Sequence, residues 1–176
     1  GGMVWQEGDK IKFSRLYNDN SGFHFEPVVT VEEGDCRNPD IQNATGYWLE
    51  EFLAWEKGSN EEPEIWYSQW GWDSGQWSLP IQLFNAGERS GIRFSKVMAD
   101  FPTFPVLLSD VVDESEQYSI SGYDFYSQDE FISDFSQSGS FQADYFTINI
   151  ITDNYWELGY LAFSKDEGNG NQDIYS

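Results

Sequence analysis

One phrase of about a dozen residues recurs along this chain, and a recurrence at this spacing decides the fold class before any single motif does. Leu53-Ala54-Trp55 and Leu161-Ala162-Phe163 are each followed two residues on by a lysine, Lys57 and Lys165. A polar turn and a second apolar piece come next, Glu64-Ile65-Trp66-Tyr67-Ser68 in one copy and Asp173-Ile174-Tyr175-Ser176 in the other. The copies are 108 residues apart from Leu53 to Leu161 and 109 from Ile65 to Ile174. Met3-Val4-Trp5 ahead of Ile11 opens the chain with a weaker copy, and Tyr123-Asp124-Phe125-Tyr126-Ser127 carries a further Tyr-Ser ending. The second piece therefore recurs near positions 11, 65, 123 and 174.

Within these copies apolar residues alternate with polar ones, as in Leu79, Ile81, Leu83 or Phe146, Ile148, Ile150, and Gly, Asn, Asp, Ser and Pro bound each run. Period two between turn formers is a strand pattern. Tyr47 to Lys57 is read as strand on the strength of the repeat, and Asp129 to Gln142 as loop or a short helix. A third piece follows the second in two copies, Phe23-His24-Phe25-Glu26-Pro27-Val28-Val29 and Trp77-Ser78-Leu79-Pro80-Ile81-Gln82-Leu83. Proline lacks the N–H that a ladder partner needs, so this piece belongs at the outer edge of its sheet. With a piece ahead of the Leu-Ala pair, such as Asn38-Pro39-Asp40-Ile41, each unit holds four strands. The prediction is all-β: a β-propeller of four-stranded antiparallel blades forming a single domain over 1–176, with copies at 3–33, 36–84, 90–140 and 145–176.

Charge and composition then bound the partners. Asp and Glu number 31 against 9 Lys and Arg, a formal net charge of −22, so the field repels polyanions and nucleic acid is excluded. Aromatic residues make up 18% of the chain, far too many for a disordered segment. No apolar run approaches the roughly 18–20 residues of a membrane helix, so no membrane insertion is expected.

Missing residues narrow the chemistry. His24 and Cys36 are the only residues of their kinds, which removes zinc-ligand spacing and an internal disulfide. Any nucleophile–base pair would need His24, which sits in an alternating stretch and is read as an ordinary strand histidine. Asp166 to Asp173 places Gly168 and Gly170 where a calcium loop needs oxygen ligands, so it is read as a β-turn. No catalytic residue, metal or cofactor is assigned. Asp40, Asp110 and Asp153, near expected inner strands, are the acids to test for glycoside hydrolysis, although in so acidic a chain close pairs arise by chance.

The densest cluster is Ile65 to Trp77, with four tryptophans around Gly71-Trp72-Asp73-Ser74-Gly75. Trp70, Trp72, Asp73 and Trp77 are the candidate ligand-binding residues: a flat indole face meets the C–H groups of a sugar while neighbouring polar groups meet its hydroxyls. Packing between blades is the competing use of the same rings.

The run from Leu161 to Ser176, with its Leu-Ala-Phe-Ser strand, Gly/Asn/Asp turn and Asp-Ile-Tyr strand, resembles the blade signature of TolB-type β-propeller repeats. Pro39-Asp40-Ile41, Glu64 to Ser68 and Trp77-Ser78-Leu79-Pro80 are similar to the same signature in an earlier copy. The resemblance covers about 36–84 and 145–176 closely, 3–33 loosely and 95–140 hardly at all. It departs from the family in completeness: roughly three and a half blades are visible where closure needs at least about four, which implies either part of a longer propeller or a pairing of the copies that the sequence does not disclose. The resemblance further implies a bacterial protein, secreted or periplasmic. The expected function is a non-catalytic interaction module of the cell envelope or secretome that engages a protein partner or larger assembly through propeller loops. The alternative is a carbohydrate-active propeller, either a glycan-binding module or a glycoside hydrolase.

Overall fold

The computed structural model describes residues 1–43, 51–71, 73–99, 103–112, 117–125, 128–138, 150–153, 156–158, 163–166 and 172–175, and among them every regular element is a strand. Contacts gather the chain into two compact units, one of Gly1–Asn43 with Leu49–Glu88 and one of the remaining residues.

The first unit holds two sheets. In the first sheet β1 (Gly2–Glu7) pairs with β2 (Lys10–Asp19), and the outer side of β2 is shared by β3 (Gly22–Phe25) and β4 (Val29–Glu33). The second sheet runs β5 (Cys36–Asn43), β6 (Glu51–Gly58), β7 (Pro63–Gly71), with β8 (Gln76–Trp77) and β9 (Ile81–Phe84) sharing the outer side of β7. All pairings in both sheets are antiparallel. Pro27 and Pro80 stand in the breaks that split each outer strand in two, where no ladder hydrogen bond is asked of them.

In the second unit β10 (Ser90–Ala99), β11 (Thr103–Val112), β12 (Gln117–Asp124) and β13 (Asp129–Ser138) form an antiparallel meander. β14 (Ile150–Asp153) adds to β10 in parallel and β15 (Trp156–Leu158) pairs antiparallel with β14. β16 (Phe163–Asp166) and β17 (Gln172–Tyr175) make a hairpin. The expected loop or short helix over Asp129 to Gln142 is corrected where it is described: Asp129–Ser138 is a strand, and 139–142 lie outside the described residues. Its pairing with β12 shifts register between Ser119 and Ser121, and the extra residues opposite Ile120 break the alternation by which a strand is read.

Pairing also fixes the repeat. Gln6 opposite Ile11 recurs as Glu56 opposite Ile65, Asp110 opposite Ile120 and Ser164 opposite Ile174. The third copy is therefore centred on Ile120 rather than Tyr123, and the isoleucine steps even out to 54, 55 and 54 residues (Ile11, Ile65, Ile120, Ile174). Bulges recur with the hairpins. The outer strand shifts register after Ile11 and again after Ile65, and the inner strand shifts between Arg37 and Asp40 and again between Ser90 and Arg93. Asn38 at φ 48° and Gly91 at φ 62° supply the left-handed residue at the two inner bulges, a conformation open to Gly and tolerated by Asn.

The core of the first unit lies between its sheets. Ile11 of the first sheet meets Cys36, Leu53 and Trp55 of the second, with Val4, Val31, Ile41, Trp66 and Trp77 packed around them. Each large apolar side chain removed from water here contributes about 1.5–3 kcal/mol. The opposite face of the second sheet is closed as well: Phe52, Ala54, Ile65 and Phe84 are buried.

Candidate functional site

The tryptophan cluster divides between core and surface. Trp70 is 6% exposed, its ring centroid 5.8 Å from Phe13 and 5.4 Å from Trp77, and Phe13 stands edge-on to Trp77 at 5.0 Å. The Arg15 guanidinium lies 4.9 Å over the same indole. Trp70, expected as a sugar platform, is thus taken up in packing between sheets, because β7 turns that side toward β2. Trp77 is half-buried in the same cluster, Asp73 is exposed on the turn, and Trp72 lies outside the described residues. What reaches solvent at this end is a shallow depression of about 310 Å³ lined by Gln69, Gly71, Ser74, Gln76, Trp77 and Ser78. Ser74 Oγ holds the turn by donating to the Gly71 carbonyl at 3.1 Å.

A larger cleft, about 600 Å³, opens at the other end of the same sheets, where three turns meet: Gly8-Asp9, Gly34-Asp35 and Gly58-Ser59-Asn60. Gly8, Gly34 and Gly58 have φ of 65°, 93° and 89°, which a side chain would strain. The turns are tied to one another, since the Gly34 amide donates to the Asp9 carbonyl at 3.0 Å and the Gly58 amide to the Asp35 carbonyl at 3.2 Å. Arg37 forms one wall. Its guanidinium donates to the Gly58 and Ser59 carbonyls, and its Nε lies 3.3 Å from Glu56 Oε2. Asn38, turned by the bulge, donates to the same Glu56 oxygen at 2.8 Å. The Asp9 and Asp35 carboxylates have no ion-pair partner among the described residues, and Gln6 and Asn60 add amides to the rim. The spacing rules applied to the sequence pass over this cleft. Its one signal there is a glycine followed by Asp or Ser at each of the three turns.

Cys36 lines the cleft but is buried. Its thiol donates to the Gly34 carbonyl at 3.3 Å, and burial pushes its pKa up to about 11, so it is a protonated thiol at neutral pH and a poor nucleophile. His24 belongs to β3, with Nε2 2.6 Å from Ser21 Oγ and 3.2 Å from Asp19 Oδ1, while Ser21 Oγ lies 2.7 Å from that same oxygen. Serine, histidine and aspartate are therefore together, but one ring nitrogen meets both partners. A triad needs Nε2 on the nucleophile and Nδ1 on the acid, so this is a solvent-exposed turn cap. Hydrogen bonds from Ser21 hold the Asp19 carboxyl below its usual range. Asp40 is half-buried on β5 and accepts from the Ile41 amide at 2.9 Å, whereas Asp110 and Asp153 fall on β11 and β14. No group of three His, Cys, Asp or Glu among the described residues is placed to hold a metal ion.

Comparison with known proteins finds no matching family model, no matching curated protein and no matching solved structure.

Proposed function

We propose that this chain is a non-catalytic binding module built of propeller-type repeats, resembling the TolB kind and exported to a bacterial envelope, and that it grips a protein partner through the Asp9–Asp35 cleft. The observation that carries this reading is how charge is disposed there. The cleft's cation, Arg37, is spent on Glu56 and two carbonyls, while two carboxylates stand without an ion-pair partner among the described residues. Such a cleft favours a cationic group, a lysine or arginine side chain presented by a partner. A net charge of −22 steers that partner in, with an on-rate that falls as salt rises.

Titration with a short lysine-rich peptide, followed by amide NMR shifts, tests this. Binding is expected at the Gly8, Gly34 and Gly58 turns and is expected to weaken about tenfold in the Asp9→Asn, Asp35→Asn double variant. Shifts spread evenly over the surface, or a double variant that binds as before, would sink the reading.

The carbohydrate reading rests on the depression beside Trp77, where Gln69, Ser74, Gln76 and Ser78 offer amides and hydroxyls next to an indole. It requires that Gln76→Ala and Ser74→Ala abolish retention on a glycan column without lowering the melting temperature. Unchanged retention removes it, and release of reducing ends from polysaccharide by the purified chain would replace binding with hydrolysis.

A further inference from the structure

The two sheets of the first unit begin their hairpin turns with the same glycine carbonyl, and each satisfies it differently. By pairing register Gln6 and Glu56 hold one position, opposite Ile11 and Ile65, and Gly8 and Gly58 stand two residues on. In the first sheet Gln6 Nε2 donates to the Gly8 carbonyl at 2.8 Å, so the strand closes its own turn. A carboxylate accepts hydrogen bonds but has none to donate, and Glu56 leaves the Gly58 carbonyl to a neighbour. Arg37 takes it: the guanidinium donates to the Gly58 and Ser59 carbonyls while Nε faces Glu56 Oε2 at 3.3 Å. One neutral amide in the first sheet is thus replaced by an ion pair in the second. Its cationic half lines the Asp9–Asp35 cleft, and its anionic half, 5% exposed, does not.

We propose that Glu56 is a positioning residue that fixes the sign of charge this cleft accepts, although it does not line the cleft. It holds the Arg37 guanidinium at the third turn and cancels its charge, so that the Asp9 and Asp35 carboxylates set the field met by an incoming lysine or arginine. Lys10 and Lys57, beside the first and third turns, are matched in the same way by Glu33 at 2.8 Å and Glu32 at 3.1 Å, neither of which lines the cleft. Selection of a cation is therefore written partly outside the contact surface. Glu56 acts so only if the Asp9–Asp35 cleft is the binding site, as proposed above.

Affinity for the short lysine-rich peptide, measured by calorimetry over a range of salt, separates charge from shape. Glu56→Gln leaves the guanidinium uncancelled and is expected to bind about tenfold more weakly, with a flatter salt dependence because the cleft carries one negative charge fewer. Glu56→Asp keeps the charge and is expected to bind within about twofold of wild type. Arg37→Met combined with Glu56→Gln removes both charges and gives the third turn the amide that Gln6 supplies in the first. This double variant is expected to bind as wild type does or more tightly, although it has lost a side chain that lines the cleft. Melting curves show which variants are folded, and if Glu56→Gln does not fold, the double variant decides. A folded Glu56→Gln that binds as wild type overturns the assignment, as does a folded double variant that loses affinity, which would make Arg37 a contact for the partner. Wild type that binds no peptide takes down the cleft reading and this one together. Binding that Asp9→Asn with Asp35→Asn weakens and Glu56→Gln leaves alone takes down only this one.

Discussion

Ser14 and Ser68 hold one position in two successive sheets, each buried and each donating its hydroxyl to the carbonyl of the residue where the outer strand breaks, Glu26 at 2.7 Å and Ser78 at 2.9 Å. The amides of Glu26 and Ser78 return the bond, each 2.8 Å from the carbonyl next along the middle strand, Arg15 or Gln69. The outer strand can therefore part and carry a proline shortly afterwards without stranding a buried carbonyl. Sequence places a serine and a proline at matching points of two copies, local structure makes a break of them, and the break lets the outer strand bend along its neighbour.

Removing that hydroxyl loosens the break. Ser68→Ala is expected to cost about 1–2 kcal/mol in urea unfolding, the worth of a hydrogen bond whose acceptor is left partly desolvated. Ser14→Ala is expected to cost a similar amount. Two variants that match wild type would mean that the outer strand is held by β3–β4 and β8–β9 pairing alone.

Arg37 ties the inner bulge to the neighbouring strand and turn. Arg37→Met takes the guanidinium away from the buried Glu56 carboxylate, and breaking one side of a buried ion pair typically costs about 3–5 kcal/mol. The added Glu56→Gln substitution removes the buried charge that Arg37 faced and is expected to recover part of the loss. Urea midpoints of the single and double variants check both steps, and a double variant as unstable as Arg37→Met would show that the carbonyl contacts carry the cost.

Cys36 gives the chain an alkaline weakness. Its folded-state pKa of about 11 lies above that of an unfolded thiol, about 8.5. The stabilisation from a neutral buried thiol is thus complete below the unfolded value and lost as pH rises through the folded one. Unfolding free energy is expected to decline between about pH 9 and 11, and less so in Cys36→Ala. A residual decline remains from Tyr67, whose phenol burial also pushes up. At neutral pH native Cys36 is expected to resist iodoacetamide while urea-unfolded chain reacts; equal rates would contradict its burial.

Three of the four recurrences are legible in the sequence: Ile11, Ile65 and Ile174 stand where the repeat spacing puts them, and pairing sets them opposite Gln6, Glu56 and Ser164. The third is misplaced since Tyr126-Ser127 imitates Tyr67-Ser68, and only pairing with β11, through Asp110 opposite Ile120, sets the true register. Alternation likewise puts Trp70 on one side of β7 without saying which side a neighbouring sheet will cover. The cleft is harder still. Its wall depends on Asn38 adopting φ 48° at a bulge, so that Arg37 and Asn38 both reach Glu56, and no period in the sequence encodes that.

Gly2 tests how tightly the two sheets of the first unit are fitted. It pairs with Arg15, and a Cβ there would fall 2.2 Å from Phe13 Cε2 and 2.5 Å from Cζ. Phe13 is buried with Trp70 and Trp77 against its ring, so the ring cannot simply swing away. Gly2→Ala is expected to cost about 1–3 kcal/mol through overpacking and to change near-ultraviolet dichroism as the Phe13–Trp70–Trp77 cluster shifts. Gly8→Ala is the contrasting case. Nothing lies within 4 Å of its added Cβ, but φ is 65°, so about 1–2 kcal/mol of backbone strain is expected with no change in the aromatic spectrum. If Gly2→Ala leaves both stability and spectrum unchanged, the packing of Phe13 between the sheets is looser than these distances describe.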